Sequence, residues 1–272
     1  MSKFQKRVID KETFRIPSFD LKLETEWLGR NFIYLDEIDS TNSYALHNSE
    51  VEENGTVVLA DKQTSGRGRL DRQWHSAKGQ NLTFSLLLSP SKTLMKNFGF
   101  LTFGTAVAVA KTIENLYRLD ISLKWPNDVL IGRKKLAGIL IESSSAGDTI
   151  NRIVLGIGLN CNQTLFDGQY KLEPTSLRMQ IRQEIDREKL LADLLAELET
   201  MIHQVLKDPT VILKEWKSRV KLFGEKIIIN SGKDELIGIF EDVSDEGYLL
   251  LRTQDRKLHT IVTGDVVFLN QD

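Results

Sequence analysis

The run Leu82-Thr83-Phe84-Ser85-Leu86-Leu87-Leu88 constrains the fold more than any other stretch of the chain. Seven residues dominated by apolar side chains and bounded by turn residues read as a buried strand. The run is tethered to a loop of opposite character, Gly66-Arg67-Gly68-Arg69, which is too polar and too glycine-rich to be core. Trp74, His75 and a second turn, Lys78-Gly79-Gln80-Asn81, lie between the two. Glycines let backbone N–H groups approach a ligand, and arginines hold the oxygens of an anion. Taken alone, Gly-Arg-Gly-Arg is more often a solvated basic turn.

The rest of the chain supplies partners for that strand. Phe32-Ile33-Tyr34-Leu35 reads as a first strand, followed by Asp39-Ser40-Thr41-Asn42, where Asp39 or Ser40 suits a helix N-cap. Free N–H groups and short hydroxyl or amide side chains at such a helix start can bind a neutral polar ring. Residues 56–60 form a second strand, and residues 97–116 have helical length, with Gly104, Ala106, Ala108 and Ala110 permitting close packing on a sheet. Residues 121–124 are a further strand, residues 129–131 and 136–142 pair about a turn at Gly132-Arg133, and residues 153–158 add one more. Consecutive hairpins with one intervening helix predict an α+β fold with a mixed, largely antiparallel sheet. Residues 186–207 carry Leu190, Leu191, Leu194, Leu195, Leu198 and Ile202 on one broad helical face, and a second helix covers 209–220. Past Leu222-Phe223-Gly224 only short strands remain, five in about fifty residues, which predicts a small closed barrel. The expected organisation is an N-terminal extension over 1–30 with no assignable chemistry, a main domain over 31–221 and a small domain over 222–272.

Composition excludes several classes of function. A net charge of −2 over 272 residues gives no global basic field for nucleic acid. The single cysteine, Cys161, excludes an internal disulfide framework and a multi-cysteine metal site, and is expected to be a small buried residue. His47, His75, His203 and His259 are scattered without triad or zinc spacing. Gly156-Ile157-Gly158-Leu159-Asn160 lacks the third glycine of a dinucleotide fingerprint, and no Gly-Lys-Ser/Thr phosphate loop occurs. No apolar run has the length of a membrane span, and the opening MSKFQKRVIDKETF lacks a signal-peptide core, so a cytoplasmic protein without membrane partners is expected.

Five blocks occur in order: Asp39-Ser40-Thr41-Asn42, Gly66-Arg67-Gly68-Arg69, Lys124-Trp125-Pro126-Asn127-Asp128, Arg133-Lys134-Lys135-Leu136-Ala137-Gly138 and Gly156-Ile157-Gly158-Leu159-Asn160. In this order the chain resembles the biotin–protein ligases, strongly over residues 32–160 and more loosely to the C-terminus. The resemblance implies a catalytic domain like that of class II aminoacyl-tRNA synthetases and a C-terminal barrel like a Src-homology-3 module. It implies ATP-dependent formation of biotinyl-5'-AMP, with Mg²⁺, and transfer of biotin to a lysine of a biotin carboxyl carrier protein. Lys135, Asp128 and Arg69 would be catalytic. Biotin would meet Ser40, Thr41, Asn42, Gln63, Gly66, Arg67, Gly68, Arg69, Lys135 and Gly138. The nucleotide would meet Arg67, Arg69, Trp125, Asn127, Lys135 and Asn160, and Asp128 is the candidate Mg²⁺ ligand.

The residues suit those roles. An ammonium between two anions offsets their repulsion and the charge that grows on phosphorus. Without the other blocks Lys135 would read as a solvated hairpin residue, Asp128 as the end of a turn, and Trp125 equally as core or as a stacking platform. The alternatives are a lipoate or other acyl-protein ligase, a biotin-sensing regulator that binds DNA, and a noncatalytic module built on the barrel. The first thirty residues are too few for the helix-turn-helix domain that some biotin ligases carry there, and the charge is acidic, so no specific DNA binding is expected.

Overall fold

The computed structural model describes residues 13–269 apart from residues 71, 148, 232 and 233. Residues 13–30, expected to be an extension, instead join the core. Helix α1 (Ile16–Asp20) and its flanks bury Phe14, Phe19, Leu23 and Leu28. The sheet that follows has seven strands: β1 (Phe32–Ile38), β2 (Val57–Gln63), β3 (Leu82–Leu88), β4 (Ile121–Lys124), β5 (Asp128–Ile131), β6 (Lys134–Ala146) and β7 (Thr149–Leu159). Their order is β1-β2-β3-β7-β6-β5-β4. Only β1 and β2 run parallel, with helix α2 (Thr41–His47) between them in the chain. The hairpin β6–β7 is longer than expected from sequence, because Ser143-Ser144-Ser145 extends β6 without any apolar signal.

Strand β3 lies between β2 and β7 and is buried along its whole length. Period-two alternation divides its side chains. Leu82, Phe84, Leu86 and Leu88 enter the main core. That core is closed by helices α3 (Lys92–Lys96), α4 (Phe100–Tyr117), α5 (Leu177–Ile181), α6 (Arg187–Lys207) and α7 (Pro209–Lys217). Thr83, Ser85 and Leu87 point the other way, where α2 covers only part of the sheet with Ala45 and Leu46. Strand β7 repeats the division: Ile153, Leu155, Ile157 and Leu159 serve the core, and Gly156 and Gly158 face the opposite side. The main core is thus built from one face of the sheet, and the other face divides between a small apolar cluster under α2, with Val58, Leu87 and Val154, and a stretch of small and polar residues.

A β-bulge changes this pattern at one point. Val129 pairs with Ala137 and Leu130 with Lys135, so Leu136 is the extra residue, and Leu136 and Ala137 are both buried in the core. Strict alternation would send Lys135 to the core side with Ala137 and Ile139. The bulge returns it to the face occupied by Gly138 and Asp128.

The C-terminal strands β8 (Lys226–Ser231), β9 (Asp234–Val243), β10 (Leu249–Arg252), β11 (Leu258–Ile261) and β12 (Asp265–Phe268) form a second, antiparallel sheet in the order β11-β10-β9-β8-β12. Its interior is continuous with the main core. Trp125 joins the two sheets, because its indole N–H donates to the carbonyl of Gly247 at 3.1 Å. Gly247 has φ +88, and a Cβ there would meet Phe103 at 2.5 Å, so both conformation and space require glycine.

Glu199 of α6 ties down the N-terminal segment. Its carboxylate accepts the backbone N–H groups of Glu26, Trp27 and Leu28 at 2.8, 3.0 and 2.9 Å. Burial alone would push this carboxyl up, but the three donors outweigh it and hold its pKa below the ordinary value. A lowered folded pKa means the stabilisation is complete above the carboxylate range and is lost as pH falls through it. Glu199→Gln should therefore cost about 1–3 kcal/mol at neutral pH. The gap to the unmutated protein should narrow below about pH 4, as urea unfolding at both pH values will show.

Candidate active site

The sheet face not used by the core floors two adjoining cavities of ≈ 100 and ≈ 350 Å³. They share Arg72, Gln73, Trp74, Asp128, Lys135 and Asp265. The smaller one is walled by the N-terminus of α2. There Ser40 caps the helix, and the N–H and hydroxyl of Thr41 lie 2.8 and 3.1 Å from Gln63 Oε1. The Ser85 hydroxyl sits 2.7 Å from Thr41 Oγ1 and 2.6 Å from Asn42 Oδ1, and Asn42 Nδ2 donates to Glu142 Oε2 at 2.7 Å. Ser40, Thr41, Asn42, Gln63 and Ser85 give this end uncharged polar groups held by their own hydrogen bonds, with the Glu142 carboxylate accepting from Asn42.

The glycine loop folds back on itself as a tight hairpin. The N–H of Gly68 donates to Arg72 O at 2.7 Å and that of Trp74 to Gly66 O at 2.8 Å. Trp74 is thereby laid over the sheet. A Cβ on Gly158 would meet its indole at 2.3 Å, and one on Gly66 would meet its carbonyl oxygen at 2.4 Å. Arg67 pairs with Glu142 at 2.7 Å. Arg69 reaches Asn127 Oδ1 and Gly264 O, each at 3.4 Å. Arg72 pairs with Asp265, the first residue of β12, so the loop is latched onto the second sheet.

Asp128 stands at the junction of the cavities. Lys135 Nζ lies 2.6 Å from its Oδ1 and Lys124 Nζ 2.9 Å from its Oδ2. Burial alone would raise the Asp128 carboxyl, but the charges of Lys124 and Lys135 prevail and hold it far below the usual carboxylate range. Burial pulls Lys124 down, against the opposing pull of Asp128, and desolvation likewise lowers Arg69. Both oxygens of Asp128 are occupied by ammonium groups, and no cluster of three metal-ligating side chains exists among the described residues. That arrangement does not fit the expected role of Asp128 as a Mg²⁺ ligand.

Three buried polar atoms among the described residues have no partner: Trp74 Nε1, Thr83 Oγ1 and Asn160 Oδ1. All three residues line the cavities. Orphaned donors and acceptors gathered in one place are the mark of a ligand-binding site.

The comparisons with known proteins agree. The biotin/lipoate A/B protein ligase family matches residues 34–160, and the biotin protein ligase C-terminal domain matches residues 222–269. The bifunctional ligase/repressor BirA of Bacillus subtilis is 37% identical over 238 residues, 86% of this chain and 73% of its own. The biotin–[acetyl-CoA-carboxylase] ligase of Paracoccus denitrificans is 33% identical over 226 residues, 80% of this chain and 92% of its own. Among solved structures, the biotin protein ligase from Aquifex aeolicus in complex with biotin and ATP superposes with a TM-score of 0.77 at 29% identity, covering 87% of this chain and 97% of that one. The chain belongs to the biotin–protein ligase family.

Of the ligase residues expected from sequence, Ser40, Thr41, Asn42, Gln63, Arg67, Gly68, Arg69, Asn127, Asp128, Lys135 and Gly138 are brought around the smaller cavity. Asn160 joins Asp128 and Lys135 around the larger. Gly66 lies outside both linings and serves as the seat of Trp74. Trp125 is a correction. It lies in the turn after β4, 2% exposed in the main core and bonded to Gly247, and it lines neither cavity. Cys161 is buried, and burial pushes its thiol up to about 12, which suits packing rather than attack. The residues missed were Lys124, Arg72, Trp74, Thr83, Gly156, Gly158 and Asp265. Lys124 opens a block in which only Trp125, Asn127 and Asp128 were given roles. Asp265 carries no local signal at all.

Lys135 is the one ammonium that is open to both cavities and only partly buried. Lys135→Ala should leave Asp128 paired with Lys124 and the fold intact. It should slow the joining of two anions at this point by roughly 10²–10³-fold. Pyrophosphate release with a circular dichroism control is the measurement.

Proposed function

We propose that this ligase joins biotin to a carrier lysine in two steps. In the first, a biotin carboxylate oxygen bonds to the α-phosphorus of MgATP. The bond from that phosphorus to the bridging oxygen breaks, and pyrophosphate leaves with the electron pair. In the second, a lysine ε-amine bonds to the acyl carbon of biotinyl-5'-AMP. The bond from that carbon to AMP oxygen breaks, AMP leaves with the electron pair, and the proton lost by the nitrogen passes to solvent.

The observation that carries this reading is the position of Lys135 between a cavity whose α2 end is lined by uncharged polar groups and a larger one that holds an orphaned acceptor. The hydroxyls and amides of Ser40, Thr41, Asn42 and Gln63 suit the uncharged ureido ring of biotin. The larger cavity, with Asn160 and the flank of Trp74, suits the nucleotide. The carboxylate of the one and the phosphate of the other then meet at Lys135, where its charge offsets their repulsion. The chain supplies proximity, charge stabilisation and, through the glycine loop, exclusion of water. Asp128 receives the incoming lysine, because its carboxylate lies beside Lys135 where the two cavities adjoin.

Relatives named as ligases of acetyl-CoA carboxylase support a biotin carboxyl carrier domain as the partner. No helix among the described residues is long and apolar enough to cross a membrane, and the single cysteine is free. Both suit work in the reducing cytoplasm. Lipoate is the alternative acid that the wider family name admits. The ring of uncharged polar groups at α2 favours biotin, since a dithiolane offers no N–H or carbonyl to bond them.

Incubation with MgATP, a purified carrier domain and an equal mixture of biotin and lipoate should add one biotin to one lysine by intact mass. Faster lipoate attachment would overturn the choice of substrate. Arg69 spans from the loop to Asn127 and Gly264 and lies within 3.7 Å of Asp265. Arg69→Gly should therefore still permit adenylate synthesis but loosen the lid that retains the product. Blotting should then show biotin on bystander albumin, and albumin as clean as with the unmutated enzyme would remove Arg69 from that role.

A further inference from the structure

Lys124 has no part in the reaction as set out above, yet it is the most deeply buried ammonium of the site, with a side chain 6% exposed against 26% for Lys135. A buried amine is costly to maintain unless it is paired. Its pairing is built into the sheet. Lys124 and Asp128 are direct partners in the β4–β5 register and project to the same face, so their contact is fixed by backbone hydrogen bonds. Lys135 comes from β6, next to the bulge, and lines both cavities, whereas Lys124 lines only the larger. The two ammoniums that share Asp128 are therefore unlike: one is anchored, the other can turn to a ligand.

We propose that Lys124 is a positioning residue for the transfer step, holding Oδ2 of Asp128 so that Oδ1 is presented to the incoming lysine once Lys135 has turned to the reacting anions. The inference rests on the ligase reading above. When Lys135 engages the biotin carboxylate and the phosphate, its 2.6 Å contact to Oδ1 must be shared or surrendered. Without a second partner, Asp128 would be a buried carboxylate with nothing to orient it, and it would compete with the substrates for Lys135. With Lys124 on Oδ2, the carboxylate keeps one fixed bond and offers its other oxygen to an N–H of the acceptor amine. Arg69 and Arg72 from the glycine loop and Asp265 from β12 also face this junction, but none of them is within hydrogen-bond reach of Asp128. In the adenylation step Lys135 acts on the anions, whereas Lys124, although it lines the larger cavity, has its ammonium committed to Oδ2 of Asp128 at 2.9 Å.

The test separates the two half-reactions in the full-length enzyme. Adenylation is read as pyrophosphate release from MgATP and biotin without carrier. Transfer is read in single turnover from added biotinyl-AMP to a purified carrier domain. Lys124→Met should slow transfer about 10–100-fold, the range usual for a partner that orients a working group, and slow adenylation several times less. Asp128→Asn should slow transfer at least as much. The double variant should be no slower than Asp128→Asn alone, because Lys124 acts only through that carboxylate. Lys124→Gln, which keeps an N–H donor without charge, should lose less than Lys124→Met, and it carries the test should Lys124→Met fail to fold. Equal losses in both half-reactions, or effects of Lys124→Met and Asp128→Asn that multiply in the double variant, would overturn the proposal. If the unmutated enzyme makes no biotinyl-AMP, the ligase reading fails first and this inference falls with it.

Discussion

The carboxylate of Asp128, buried between Lys124 and Lys135, is the interaction on which the rest of the site depends. A charge taken out of water is tolerated only when it is paired and hydrogen-bonded, and removing one partner of a buried pair commonly costs about 3–5 kcal/mol. The protein meets that condition with two cations on one anion. This leaves a net positive charge at the meeting point of two cavities. It also explains features that look unrelated. The β4–β5 hairpin must end in register so that Lys124 faces Asp128, and β6 must carry a bulge so that Lys135 reaches the same carboxylate.

The same sheet serves two incompatible environments. Its strands give one set of alternate side chains to the helical core and the other set to the ligand face. On β3 and β7 that second set includes Thr83, Ser85, Gly156 and Gly158, small enough to leave room for Trp74 and Asn42, while Leu87 and Val154 pack under α2. A Cβ at Gly156 would lie 2.2 Å from Asn42 Oδ1. The stability of the domain therefore resides on one side of the sheet, and the chemistry occupies the side that contributes least to it. Polar groups there remain unpartnered at the expense of stability, as functional sites commonly do.

The second sheet takes part in the site as well as in the fold. Asp265 holds Arg72 and lies 3.7 Å from Arg69, while Gly247 and Phe268 bear on Trp125 and Arg133 of the main sheet. The glycine loop is therefore tied at both edges, to Glu142 through Arg67 and to β12 through Arg72. A loop fixed at two points gives up less chain entropy on closing over a ligand than a free one does.

Much of this was legible in the sequence. The apolar run Leu82–Leu88, the small-residue helix and the leucine face of α6 each carry a periodicity that local physics makes unambiguous, and five polar blocks in order pointed to the family. Residues such as Lys135 and Asp128 stood out because their blocks are short and chemically dense. The sequence did not show which face each residue would take. Trp125 and Lys124 are adjacent, yet one fills the core and the other enters the site. Alternation alone would have buried Lys135, and the bulge that redirects it is set by pairing between β5 and β6. Asp265 reaches the loop only because two sheets pack together across more than 190 residues of chain. Local composition and period therefore fixed the elements and the kind of chemistry. Register, bulge and domain packing decided which side chains meet, because those depend on contacts between residues far apart in the chain.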